Sequence, residues 1–208
     1  MLVRRFFEAL IAEKYYLLFA CFLFLGSLIY GILFFDQVQS LMKGTGIFEQ
    51  LEQVRKNIEQ TPTFVNTFRI IFFNNVSVSL IAILSGFVFG VYPVMILVNN
   101  GLLISVVMMS GAAKANIHPI ILFLSMVLPH GIFELPAILI GAALGMHLGL
   151  AVIRAIIASF VPSRHEKTIE EWRGIRRRFP VIAVGMVVCL FFAALIETRL
   201  IIGIHLLK

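Results

Sequence analysis

The chain predicts an all-α fold: a polytopic membrane helical bundle of about five transmembrane spans, with broken or re-entrant helices in 99–161. Three observations carry this. Of 208 residues, 60% are hydrophobic and only 13% charged, about half the charged content of a soluble domain. Apolar runs recur that are long enough to cross a hydrocarbon core of ~30 Å. The basic residues behind the net charge of +6 cluster at the ends of those runs, as membrane orientation requires. Nucleic-acid binding would spread them over a folded surface instead, and is excluded on that ground. The whole of 1–208 reads as a single integral membrane domain.

Residues 1–14 hold Arg4, Arg5, Glu8, Glu13 and Lys14 around Phe6, Phe7, Leu10 and Ile11, an amphipathic lead-in at a membrane surface. The first span follows at about Tyr15 to Phe35, with Tyr15, Tyr16 and Tyr30 near its ends, where amphipathic rings prefer the interface. Its length and the lack of a small-x-small site after it make it a signal anchor that stays in the membrane. Residues 36–66 are an external amphipathic segment. Ile47, Leu51, Val54 and Ile58 recur at helical spacing, and Thr61-Pro62 closes the helix. The spacing predicts a second span over roughly Val76 to Val98, between Asn74-Asn75 and Asn99-Asn100-Gly101. Gly86 and Gly90 form a small-xxx-small pair in it, and Pro93 should kink it near its end.

The stretch 99–161 allows two arrangements. In one, the third span is a broken helix over 101–128 and the fourth starts near Gly131. In the other, 101–113 is a short third span, 119–141 is the fourth, and 142–161 packs back into the protein. Pro129, Gly131 and Pro136 are the expected helix breaks. Residues 163–178 read as a basic amphipathic helix at the cytoplasmic surface. Ser163 and Glu166 form a capping box, and Trp172, Arg173, Arg176, Arg177 and Arg178 face lipid headgroups. The last span is about Pro180 to Ile196. Placing this basic cluster and the N-terminus in the cytoplasm requires an even number of spans between them; four earlier spans and one later one fit, with the C-terminus external.

The chemistry concentrates in Leu128-Pro129-His130-Gly131-Ile132-Phe133-Glu134-Leu135-Pro136-Ala137. His130 and Glu134 are four apart and share a helical face. An ionisable pair inside an apolar run needs a partner, a polar cavity or a task. The same face continues to Gly141, Gly145 and Gly149, a small-residue ladder that lets another helix approach closely, within one chain or between two copies. Asn99, Asn100 and Lys114 are candidate donors to Glu134, although an Asn before glycine also caps helices. The pair fits a proton- or cation-responsive site and fits equally a satisfied pair that fixes helix register. No metal site and no cofactor are expected. His130, Glu134, His118 and His147 are ligand types, but there is no HExxH, the H-x-x-x-E spacing alone is common by chance, and catalytic zinc needs three protein ligands and an open position. Cys21 and Cys189 form no CxxC pair, no catalytic triad can be built around Ser125, and there is no nucleotide-binding glycine loop.

Asn74-Asn75, Asn99-Asn100-Gly101 and Pro129-His130-Gly131-x-x-Glu134-Leu135-Pro136-Ala137 together resemble the stage II sporulation protein M family of integral membrane proteins, over most of 65–200. The resemblance implies about five spans. It also implies a non-enzymatic scaffold: the sporulation member anchors two peptidoglycan-degrading partners during engulfment, and relatives occur in organisms that make no spores. Expected partners are therefore the lipid bilayer and membrane or envelope proteins, and the small-residue ladder also allows a second copy of the chain. The competing expectation is a transporter or channel built on His130 and Glu134.

Overall fold

The computed structural model describes residues 2–205, except the side chains of Leu51, Arg55, Met126, His130, Ile204 and His205. The described residues are helical, with no strand among them. A short helix α1 (Leu2–Ala12) leads into α2 (Lys14–Leu33). Two helices, α3 (Phe35–Lys43) and α4 (Ile47–Gln60), cross the far end of the bundle before α5 (Phe64–Leu84) returns. Then come α6 (Val91–Ala115), the short α7 (Pro119–Leu122), α8 (Leu128–Phe160) and α9 (His165–His205). Five helical segments are long and apolar enough to cross a membrane: Lys14–Leu33, Phe64–Phe87, Val91–Ala115, Gly131–Phe160 and Pro162–Gly203.

The number of spans agrees with the sequence, but the second and third do not lie where hydropathy put them. The expected span from Val76 to Val98 straddles a hairpin turn. A 3-10 turn at Ser85–Phe87 is followed by Phe89 at φ 57° and Gly90 at φ 71°, and two consecutive left-handed residues end a helix. The turn is built from apolar residues, so hydropathy runs through it unbroken. Consequently Asn74 and Asn75 sit midway along α5, and Asn99, Asn100 and Gly101 lie inside α6 instead of capping it. Pro93 falls in the first turn of α6, where its missing N–H interrupts no helical hydrogen bond, and the expected kink has no cause.

The break expected across 99–161 shrinks to 116–127. Asn116 leaves α6 in the left-handed conformation; α7 and a π-helical turn at Phe123–Val127 then lead directly into α8. From Leu128 the helix is continuous through Gly131 and Pro136 to Phe160, so Pro129, Gly131 and Pro136 break nothing. Pro129 lies in the first turn, and Gly131 is accommodated within the helix. This overturns the arrangement with a fourth span at 119–141. Glu134 lies in the second turn of α8, at the end of the bundle away from the N-terminus.

Helix α8 occupies the axis. In its most apolar stretch 72% of residues are buried, against 22% in α2 and in α5, 39% in α6 and 28% in α9. It touches α2, α5, α6 and α9. The glycine ladder makes this possible, and it packs within the chain. A Cβ on Gly141 would lie 3.1 Å from the Ser79 carbonyl, and one on Gly145 would strike the Ala82 carbonyl and come 2.6 Å from Pro93 Cγ. Gly149 meets the Gly90 backbone, and Gly86 meets that of Gly145. Gly86 and Gly90 therefore serve packing from the turn, not from one helical face. A second small-residue seam joins α2 to α6. Gly101 lies against Ser27 and the Phe24 carbonyl, and Gly31 against Ser105.

The basic segment is no separate surface helix. It is the first part of α9, whose 41 residues run about 60 Å at 1.5 Å per residue, twice the hydrocarbon thickness. The helix is unbroken at Pro180. Trp172, Ile175 and Phe179 turn inward to pack on Leu148 and Ala151 of α8, and Trp172 stacks on Phe87 with centroids 6.4 Å apart.

Candidate functional site

Two polar clusters lie at opposite ends of α8. The first surrounds the predicted Glu134. Its side chain is half-buried and makes an interaction within the bundle. Glu197 of α9 lies within electrostatic reach of it, and Phe133 and Phe192 close the same level with ring centroids 6.0 Å apart. The His130 side chain lies outside the described residues. The candidate donors are elsewhere engaged or displaced. Asn100 Nδ2 donates to the Ile96 carbonyl of its own helix at 2.8 Å. Asn99 is exposed on α6, and Lys114 is exposed in its last turn, where a cation complements the helix C-terminus. Among the described residues no group of three or more His, Cys, Asp or Glu side chains could hold a metal ion.

The second cluster has no local signature in the sequence. Glu13 sits at the junction of α1 and α2 with its side chain 1% exposed. Its Oε2 lies 2.5 Å from His147 Nδ1 on α8, and Arg178 Nε on α9 donates to its Oε1 at 2.9 Å. The other imidazole nitrogen, Nε2, lies 3.2 Å from Glu171 Oε1 on α9. Arg154 Nη1 on α8 donates to that same oxygen at 2.5 Å and to Tyr16 Oη on α2 at 3.4 Å. The Tyr16 ring stacks on the imidazole, 4.4 Å between centroids and 10° between planes, and Phe179 meets it edge-on at 5.9 Å.

Hydrogen bonds from His147 to both carboxylates at once require a hydrogen on each ring nitrogen. Burial pushes the Glu13 carboxyl up, but the hydrogen bond and charge of His147, followed by those of Arg178, outweigh it and hold the group below its ordinary value of 4.5. Both oxygens of Glu13 are occupied by protein donors, and aromatic rings flank the imidazole. This is an anchoring cluster: it ties the α1–α2 junction to α8 and α9, across 134 residues of sequence from Glu13 to His147.

The cluster also changes the reading of the basic residues. Arg178, expected at lipid headgroups, is turned inward onto Glu13, and Trp172 is packed against the hairpin turn. Arg173, Arg176 and Arg177 remain exposed. They line, with Glu170, Gly174 and Arg178, a groove of about 700 Å³ along the exposed side of α9.

Compared with known proteins, residues 18–200 match the family model described as Stage II sporulation protein M. No curated protein and no solved structure matches the chain.

Proposed function

The chain belongs to the stage II sporulation protein M family, and from that premise we propose that it is a non-enzymatic membrane anchor for an envelope-associated complex, presenting the α3–α4 pair to its partners. The observation that carries this reading is how that pair is mounted. Its underside is apolar and fastened to the spans: Val38 and Met42 share a core with Val106 of α6, and Ile58 shares one with Ile71 of α5 and Ala194 of α9. Gln39 Nε2 on α3 donates to Ser110 Oγ on α6 at 2.9 Å. Its other side is open and mostly polar, with Asp36, Gln37 and Ser40 exposed beside Leu41 on α3, and Gln50, Gln53 and Asn57 exposed on α4. A helix pair fastened to the spans but mostly polar outward is suited to holding another protein at the membrane. Under the positive-inside rule, Arg4, Arg5 and the basic start of α9 lie in the cytoplasm and the α3–α4 pair lies outside.

The competing reading, a transporter or channel, draws on the proximity of Glu134 and Glu197. Against it, the bundle axis is filled by α8 and its glycine contacts. The test is purification of the tagged protein from its host's membranes, with bound proteins identified by mass spectrometry, beside a Gln53→Arg, Asn57→Arg variant. Enrichment of envelope proteins by the wild type, lost in the variant, is expected. Recovery of the chain alone in both would refute the anchor reading and favour transport, to be followed by solute flux in liposomes and its loss in Glu134→Gln.

A further inference from the structure

The hairpin of α5 and α6 carries side-chain amides on its outside, where lipid should be. Asn74 is ten residues from the hairpin end of the 21-residue α5, and Asn99 is eight residues from the start of α6. At 1.5 Å per residue these are about 15 Å and about 12 Å from the turn, one depth within a helical turn and well inside a hydrocarbon core of ~30 Å. Both side chains are exposed. Asn74 Nδ2 donates only to Asn75 Oδ1, at 3.3 Å, and Asn99 has no hydrogen-bond partner among the described residues.

Neither amide points toward the bundle. Ser79 and Ala82 turn α5 toward Gly141 and Gly145 of α8; at 100° per residue Asn74 lies about 140° from Ser79 and about 80° from Ala82 around the helix, and its side chain is exposed. On α6, Leu97 is the buried residue in the core shared with α2 and α8, and Asn99 lies about 160° from it. Around the amides, Ser77 and Ile81 on α5 and Tyr92 and Met95 on α6 are exposed as well.

Hydrocarbon offers such groups no hydrogen bonds. We infer that this face is the contact between two copies of the chain. A carboxamide is donor and acceptor in one group, so each amide complements its own copy across a two-fold axis without any second kind of partner. Pairing amides across helices is a recognised source of association in membranes. The glycine ladder cannot provide the contact, because it is consumed within the chain by α5, α6 and the turn.

The test uses the full chain in native membranes, with Cys21→Ser and Cys189→Ser removing its own thiols. A Ser77→Cys variant on this face is compared with Phe22→Cys on the exposed side of α2 under a membrane-permeant oxidant. A dimer-sized disulfide band from Ser77→Cys and none from Phe22→Cys is expected. Adding Asn74→Leu and Asn99→Leu should abolish that band. It should also weaken self-association at least about tenfold, read by energy transfer between labelled copies in liposomes, with the monomer's melting temperature unchanged. Equal bands from both cysteines, no band, adducts only with other proteins, or undiminished association of the leucine variant would each overturn the inference.

Discussion

Replacing His147 with Gln removes the centre of the Glu13 cluster and shows what that cluster contributes. His147 meets Glu13 at 2.5 Å and Glu171 at 3.2 Å. Glutamine offers one amide donor group and no ring for Tyr16 to stack on. Removing one partner of a buried charge costs about 3–5 kcal/mol. Here Glu13 keeps Arg178 at 2.9 Å and Glu171 keeps Arg154 at 2.5 Å, so the loss should be smaller, about 2–3 kcal/mol, or a fall in melting temperature of about 4–12 °C for a chain of this length. Glu13→Gln should cost a similar amount. The double variant should cost less than the sum, with a coupling of at least about 1 kcal/mol, because the two side chains contact each other directly. Thermal unfolding of purified protein in one mild detergent measures all three. A shift below about 1 °C in both single variants, or strictly additive shifts, would refute the cluster as a lock. Acid adds a signed check. A carboxyl held below its ordinary 4.5 stabilises the fold fully above that value and loses its contribution as the pH falls through its folded value. The gap between wild type and Glu13→Gln should therefore be constant in the neutral range and close below about pH 4.5.

Gly145→Ala places a methyl on the Ala82 carbonyl and 2.6 Å from Pro93 Cγ. It should cost at least about 1–3 kcal/mol of thermal stability, whereas Gly26→Ala, with nothing within 4 Å, should cost nothing. Gly101→Val should separate α2 from α6, since the Phe24 carbonyl lies 2.7 Å from the first added carbon, and should be seen as lower yield of folded protein in size-exclusion chromatography. For orientation, a membrane-impermeant thiol reagent on intact cells should label Gln53→Cys and not Lys167→Cys in a Cys21→Ser, Cys189→Ser background; the opposite labelling would invert the assignment.

Composition and apolar run length were enough for the fold class and the number of spans, because both depend on residue type alone. The first span, the amphipathic stripe ending at Thr61-Pro62 and the ladder at Gly141, Gly145 and Gly149 were legible for the same reason: their periods are local. The boundaries of the second and third spans were not. Ser85 to Gly90 turns the chain with apolar residues, so the turn is silent in hydropathy, while the asparagine pairs that looked like boundaries lie in mid-span. Pro136 looked like a break and Pro180 like the start of the last span, but packing carries α8 and α9 straight through them. The cluster of Glu13, His147 and Glu171 was hidden by distance along the chain. The one available signal was that Glu13, His147 and Arg154 each interrupt or border an apolar run, which marks them as costly without showing that they meet.

The most direct test of the anchor role is a photo-crosslinking amino acid placed at Gln53, on the open side of α4, in the host's own membranes, beside the same probe at Leu25 on the exposed side of α2. Discrete protein adducts at Gln53 that contain envelope components, with none of these at Leu25, are the expected result. Lipid adducts alone at both positions, from a chain that moves solutes in liposomes, would contradict it.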